Sequence, residues 1–352
     1  MSTGYTVPVD WLTDAIRRIF VAVGVSGKSA QAVAEALVEA DLRGIPSHGT
    51  LLVPMYVERI RKGSVTTADG GDVVTDRGAV ATLDAGHALG VLTADQAMRL
   101  AVAKAHAYGL GAVTVRHAFH FGGAFRYAAT AARAGCVGIA MANTRPLMPA
   151  PGGAEPVVGN NPLAIAVPRT GGEPLLLDMA LSEAALGKIR LAEAEGRAIP
   201  ATWATDPAGV PTTDPRQAIA GMLLPSGGPK GYGLAVMVEI LTGVLSGGAF
   251  SGQVRGLYAD TARPNDCAHF FLAIHPEAFG GTAHFAQRVQ DLALTITASK
   301  PAPDIDRVYL PGEMETLRRQ SAAGTGVRLD ASVLDSVRAT AVTAGVVLTD
   351  PT

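Results

Sequence analysis

The sequence predicts a mixed α/β fold in which helices from both ends of the chain flank a central region of alternating strands and helices. Three observations carry this reading. Apolar residues recur at helical spacing from Val9 to Lys62. Short apolar and β-branched runs alternate with helical stretches from Val73 to Thr297. The tail, Glu313 to Ala344, returns to helical spacing.

Val9 to Val23 carries Leu12, Ile16, Ile19 and Phe20 at intervals that only a helix gathers on one face. Ser26 to Leu42 repeats the pattern with Ala30, Val33, Ala34, Leu37 and Val38, and Ser26 or Ser29 is a candidate N-cap. A polar break, Arg43 to Gly49, precedes a third helix over Leu51 to Lys62. Pro54 falls in its first turn, where a missing N–H is harmless. Ala79 to Leu83 and Gly111 to Val115 read as strands around a helical stretch, Ala94 to His106. Gly123 to Ala134 is helical and leads into a strand, Val137 to Met141. Leu163 to Val167, Leu175 to Leu177, Phe270 to Ile274 and Leu292 to Thr297 read as further strands. Ala184 to Gly196, Lys230 to Leu245, Glu313 to Ala322 and Ala331 to Ala344 read as helices. No internal repeat or low-complexity linker is present.

The chain has 352 residues, of which 48% are hydrophobic and 17% charged, with a formal net charge of -2. That composition supports a large core, in two domains or one large one, and excludes a disordered chain. It offers no basic footprint for nucleic acid and no polybasic patch for a membrane. Cys136 and Cys267 sit in apolar stretches; they are too few for a disulfide framework and read as reduced and buried. Met1 to Asp10 lacks the basic region and apolar core of a secretory signal. The longest apolar run, Gly233 to Phe250, contains Glu239 and several glycines and suits a buried soluble helix better than a membrane span. The cytoplasm is the expected compartment. Low charge with much Ala and Gly also suits a protein that hides surface in an oligomer.

Missing motifs narrow the chemistry. No Gly-x-Gly-x-x-Gly follows a strand and opens a helix, so the Rossmann fingerprint is absent. Gly227 to Gly231 has the wrong spacing for a Walker A loop. Paired Cys-x-x-Cys and His-Glu-x-x-His are also missing. His117 and His120, three apart, would suit a metal on a helix, but no carboxylate lies near them in sequence, and no metal is expected.

Ser47-His48-Gly49 occupies a break between helices, where an imidazole can face a cleft and Ser47 can orient it. A capping Ser beside a surface His is the plainer reading of the same residues. His120-Phe121-Gly122-Gly123 lies where a strand turns into a helix, and its glycines let a ligand approach the backbone. His120 is a second acid/base candidate, or a His packed in a tight turn. Gly159-Asn160-Asn161-Pro162 precedes an apolar strand and can expose backbone N–H groups. Asp178 ends a buried strand and can bind a ribose hydroxyl or cap the next helix. Lys230, opening a helix, would meet phosphate charge.

The order of these segments is more telling than any one of them. Asp41 to Gly49, Pro54-x-Tyr56, His120-Phe121-Gly122, Gly159 to Ile165, Asp178-Met179-Ala180, Gly187-Lys188-Ile189, Pro211 to Pro215, Lys230 to Leu234 and Leu310 to Glu313 together resemble the type-2 malate/L-lactate dehydrogenase family. Its members include malate, lactate, sulfolactate and ureidoglycolate dehydrogenases, a diketogulonate reductase and cyclic imino acid reductases. The resemblance implies a homodimer whose cofactor domain is unrelated to Rossmann proteins. Residues 76–300 would carry NADH or NADPH and a small-molecule substrate, and residues 1–75 and 301–352 would form a helical, dimerising domain. It also implies cofactor contacts at Thr144, Asn160, Asn161, Asp178, Met179, Ala180, Lys230, Gly312 and Glu313, and substrate contacts at Arg43 and Tyr56, while Arg145, which the family pattern does not supply, is a further substrate-binding candidate. Proton transfer falls to the equivalent of His48 in some members and of His120 in others. Here His48, oriented by Ser47, is favoured, with His120 holding substrate or sharing the proton.

This sequence departs from the family pattern. Leu52 stands where many members have an Arg that grips the substrate carboxylate, and Arg145 stands where many have a small residue. Pro46, Leu181 and Pro229 are further departures. The expectation is hydride transfer to or from a C=O or C=N carbon of a non-standard 2-oxo, 2-hydroxy or cyclic imino acid. A relative that keeps the fold as a binding or scaffolding protein without turnover is the rival.

Overall fold

The structure is a computed structural model that describes residues 4–350. The outermost ends of the expected helical domain, 1–3 and 351–352, lie outside the described residues. In chain order the elements begin β1 (Gly4–Val7), α1 (Val9–Ala22), α2 (Gly27–Leu42), α3 (Val53–Arg61), β2 (Asp72–Arg77), β3 (Val80–Asp84), α4 (Gly90–Tyr108), β4 (Leu110–Ala118), α5 (Phe125–Arg133) and β5 (Val137–Ala142). They continue β6 (Met148–Pro149), β7 (Pro156–Val158), β8 (Leu163–Val167), β9 (Leu175–Met179), α6 (Leu186–Ala194), β10 (Ala204–Thr205), α7 (Pro215–Ala220) and β11 (Met222–Leu223). The last are α8 (Pro229–Glu239), β12 (Cys267–Ile274), α9 (Thr282–Thr297), α10 (Glu313–Thr325), β13 (Val327–Asp330) and α11 (Ala331–Thr343).

Seven strands form one mixed sheet in the order β2-β3-β4-β12-β5-β8-β9. Only β3 and β4 pair in parallel, and the right partner for β4 arrives late in sequence, as antiparallel β12. β12 is central and paired on both sides, which explains its nearly continuous apolar run, Cys267 to Ile274. In β8 buried and half-buried residues alternate, as expected of a strand with one covered face.

Three apolar clusters divide the interior. Alanine-rich α4 and α5 pack on the sheet through Ala97, Ala101, Ala128, Val113 and Phe271. A helical cluster joins Leu12, Ile16, Phe20, Leu37 and Tyr56 to Val327, Leu334 and Val337, so both ends of the chain share one core. A smaller cluster gathers Met148, Leu181, Ile189, Ala204 and Ala235 beside the β5 side of the sheet. The first and last segments are also stitched by β1 and β13, antiparallel, with Tyr5 opposite Leu329.

Ser26 caps α2 by accepting from Ser29 N–H, and Pro54 sits in the first turn of α3. One predicted element is wrong. Leu292 to Thr297 is not a strand but the last part of α9. Its Leu-x-Leu-x-Ile alternation mimics a period of two. The face that packs is instead the helical pair Val289 and Ala293, while Leu292 and Leu294 stay exposed. His117 and His120 do not share a helix either: His117 is in β4 and His120 lies in the segment after it.

Candidate active site

The ends of neighbouring strands meet along one edge of the sheet. Antiparallel pairing puts the C-terminal ends of β4, β5 and β9 beside the N-terminal ends of β12 and β8, with Cys267 opposite Ala118, His269 opposite Ala142 and Leu163 opposite Met179. His120, Asn143, Thr144, Asn160, Asn161, Met179 and Ala180 therefore gather at this edge from well-separated stretches of chain.

Two imidazoles form its centre. His48 and His120 stack with ring centroids 5.5 Å apart. His48 comes from the turn between α2 and α3, and Asp41 fixes that turn by accepting from Thr50 N–H (2.8 Å) and Thr50 Oγ1 (2.5 Å). A Cβ at position 49 would run into the Asp41 carboxylate, so Gly is required there. Burial pushes the Asp41 carboxyl up to about 6 even against those hydrogen bonds. Ser47 Oγ lies 2.9 Å from His48 Nδ1.

Behind His120 stands Tyr56. Its Oη is 2.7 Å from His120 Nδ1, and it donates to the His120 carbonyl oxygen at 3.3 Å. With its own proton engaged there, the hydroxyl can accept the Nδ1 proton. A longer approach of Gly122 N–H to the same Nδ1, at 3.4 Å, is the weaker contact. Nε2 of His120 makes no hydrogen bond among the described residues. Desolvation, with His48 and His269 nearby, holds the His120 imidazole well below the usual histidine range, and burial also lowers His48. Both rings are neutral at pH 7 on this account.

His269 completes the cluster from β12. It is fully buried, stacks on Phe121 at 4.5 Å, and has Cys267 Sγ 3.5 Å from its Nε2, while its Nδ1 has no partner. Burial pushes it down to about 3.

The expected cofactor residues divide into two groups. Thr144 N–H donates to Asn161 Oδ1 (2.9 Å) and Thr144 Oγ1 to Asn160 Oδ1 (3.0 Å). Asn161 and Asn143 are in turn anchored on buried Glu239, whose carboxylate also accepts from Ser251 N–H. The segment after Ala180 is pinned beside the segment that leads into Lys230: Ser182 bridges Pro225 and Ser226 N–H donates to the Leu181 carbonyl. Lys230 is exposed in the first turn of α8 and makes no ion pair or hydrogen bond among the described residues. A free cation at a helix N-terminus suits a pyrophosphate, so these residues fit a dinucleotide. Asp178 accepts from Phe125 N–H at 3.1 Å, and Gly312 packs on Leu176 further along β9. Glu313 is occupied locally, by Leu310 N–H and Arg307.

No hydrogen bond or ion pair joins the three expected substrate residues to one another among the described residues. Arg43 is buried, bound to Glu39 at 2.8 Å and laid over the Phe125 ring. Tyr56 is wholly buried and touches His120, not open space. Arg145 is exposed and its guanidinium has no hydrogen-bond or ion-pair partner among the described residues; its own partial desolvation and the Arg190 charge lower its pKa. Leu52, where relatives carry an Arg, points into the helical core with 1% exposure.

Sequence reasoning missed Arg59, Arg190, His269 and the role of Glu239. Arg59, fully buried, gives its guanidinium to the carbonyls of Gly256, Leu257 and Arg263 and so pins the loop that runs past Arg145. Glu239 was visible as the lone acid in an apolar run; Arg59 and Arg190 gave no comparable signal.

Residues 7–338 match the malate/L-lactate dehydrogenase family. The chain is 36% identical over 348 residues to a malate dehydrogenase of Pyrococcus abyssi, covering 97% of this chain and 95% of that one. It is 38% identical over 306 residues to the ureidoglycolate dehydrogenase (NAD(+)) of Escherichia coli K12, with 87% of each chain covered. Among solved structures, the malate dehydrogenase of Entamoeba histolytica superimposes with a TM-score of 0.92 at 29% identity over 99% of this chain and all of the other. The delta1-piperideine-2-carboxylate reductase of Pseudomonas syringae gives 0.86 at 31%, covering 96% and 99%. With the sequence matched almost from end to end and the same architecture throughout, the chain belongs to the malate/L-lactate dehydrogenase family.

Proposed function

We propose that this chain is an NAD(P)-dependent dehydrogenase that interconverts a small 2-hydroxy acid and its 2-oxo acid, with His120 as the proton-transfer group. The observation that carries the assignment is the Tyr56 Oη to His120 Nδ1 contact of 2.7 Å, beside the stacked ring of His48. A catalytic base needs an orienting partner on its far nitrogen, and Tyr56 is a buried, rigid one. The expectation from sequence favoured His48, but its orienting group, Ser47, is exposed on a short turn.

A bound nicotinamide cofactor supplies or accepts the hydride. Thr144, Asn160, Asn161, Met179, Ala180 and Lys230 would hold it. His120 Nε2 removes the hydroxyl proton in the oxidation direction and returns it in reduction, while Tyr56 keeps the ring in place. His48 closes the other side of the pocket and excludes water from the reacting oxygen.

Arg145 and Arg190 lie close enough to repel and have no acidic partner among the described residues. Uncompensated positive charge next to Thr144 favours a substrate with a second anionic group over plain lactate. Steady-state turnover with oxaloacetate, pyruvate and a cyclic imino acid, each with NADH and NADPH, tests the proposal. A clear preference for pyruvate would overturn the choice of substrate, and no turnover with any of the three would overturn the assignment.

The same reading takes the protein as a homodimer. Leu234, Met237, Ile240 and Val244 leave apolar side chains of α8 and the helical segment after it exposed, as a surface that pairs with a second copy would. Light scattering on the purified protein decides this; a monomer at micromolar concentration would refute it.

A further inference from the structure

Outside the imidazole pair, a second cluster of ligating groups stands at the other side of the β4 end. His87 lies in the segment after β3, His117 in the irregular end of β4, and Asp266 just before β12. One ligand atom from each falls within 4.8 Å of the other two. His117 Nδ1 is 3.0 Å from Asp266 Oδ1, and the two imidazole rings are 5.7 Å apart. All three residues hold left-handed backbone, with φ of 58°, 49° and 58°. His87 Nδ1 is buried and has no hydrogen-bond partner among the described residues, an orphaned group that native proteins rarely leave unexplained. The sequence put His117 aside as a ligand for want of a nearby carboxylate. The fold supplies one from 149 residues away.

We propose that His87, His117 and Asp266 bind one divalent transition-metal ion of the zinc class. Two imidazoles and one carboxylate are a typical donor set for Zn²⁺ or Co²⁺, with the remaining positions taken by water because all three residues are half-exposed. Ligand atoms around such an ion sit about 3.3 Å apart, given bonds of about 2 Å, so the side chains must close by modest rotation. Asp84 stands outside the set: its Oδ2 is 4.0 Å from His117 Nε2 and is already held by Arg116 at 3.0 Å. The Asp84 charge thus neutralises Arg116 beside the three ligands.

The site joins three segments that support the active-site edge. Gly90, three residues after His87, lies so close to the Phe119 and His120 carbonyls that a Cβ there would collide with them. An ion at His117 would therefore tie the β3 and β12 ends to the strand that delivers His120. The role is structural or modulatory; the hydride chemistry does not need the ion.

The test uses the full chain stripped with EDTA and titrated with Co²⁺, read by visible absorption, and with Zn²⁺, read by calorimetry and melting temperature. His87→Asn, His117→Asn and Asp266→Asn are the variants, because Asn tolerates left-handed backbone and is a poor ligand; circular dichroism checks their fold, and His87→Gln replaces any that fails. His106 and His275, with rings 4.5 Å apart, form a competing pair, so His106→Ala serves as the control. One equivalent of metal should bind, weakened at least tenfold in each of the three site variants and unchanged in His106→Ala. No binding to the parent chain, or equal binding by folded His87→Asn and Asp266→Asn, would overturn the site.

Discussion

Tyr56 Oη and His120 Nδ1 meet at 2.7 Å although 64 residues separate them in sequence. One belongs to α3 and the other to the segment that follows β4, so the contact joins the helical core to the candidate active-site edge of the sheet. On the function proposed above, Tyr56 is a positioning residue and not a group that touches substrate.

Tyr56→Phe keeps the ring and removes the hydroxyl. A drop in kcat of about 10- to 100-fold with little change in KM is expected, against about 10²- to 10⁴-fold for His120→Ala. An effect on KM alone would mean that Tyr56 acts on substrate directly. The same kinetics applied to His48→Asn should show the smaller loss of the two histidines; a larger one would return the proton-transfer role to His48.

Arg145→Met and Arg190→Met should each raise KM for a dianionic substrate about tenfold or more while leaving monoanionic substrates nearly unaffected, since a lost ion pair to a desolvated carboxylate costs about 1.5–3 kcal/mol. Equal losses on both substrate classes would disconnect these residues from specificity.

Arg59→Met leaves the Gly256, Leu257 and Arg263 carbonyls without their donor. A loss of about 3 kcal/mol or more in urea unfolding is expected, together with faster proteolysis at the 255–265 loop. A change under 1 kcal/mol, in other words about what an exposed site shows, would mean that the loop has other support.

His269 gives a pH dependence whose sign is fixed. Its folded pKa is pushed from 6.5 down to about 3, so between those values the unfolded chain binds a proton that the folded chain refuses. Its contribution is whole above pH 6.5 and is lost as pH falls toward 3. Asp41, raised from 3.8 to about 6, works the opposite way, since the folded chain keeps its proton more tightly between those values. Comparing the parent with His269→Phe cancels Asp41. The stability gap between the two should shift in favour of the variant by about 2 kcal/mol from pH 6.5 to 5, at about 1.4 kcal/mol per unit. Parallel melting curves across that range would show that His269 titrates normally.

Much of the framework was legible because its signals are local. The stripe Leu12, Ile16, Ile19 and Phe20, and the strand Leu163 to Val167, each state their period within a few residues. That His48 and His120 stand close together was legible because glycines and turn residues mark both segments as able to face a cleft. Tyr56 was misplaced because its burial depends on Phe20 and Phe119 packing around it, which no local pattern records. Arg43 was misplaced for a similar reason: its partner Glu39 lies one helical turn away, and the enclosure comes from α5. Leu292 and Leu294 misled because an exposed apolar face on a helix obeys no burial rule. Strands as short as β1 and β13 carry no readable period and are made by each other.

That last pair bears on the order of folding. α3, which bears Tyr56, rests on α11, and Val7 pairs with Val327. The wall behind His120 is therefore closed by segments far apart in sequence. Such contacts form late because the entropy of closing a long loop comes first, so the central sheet can assemble before the floor under its imidazoles is in place.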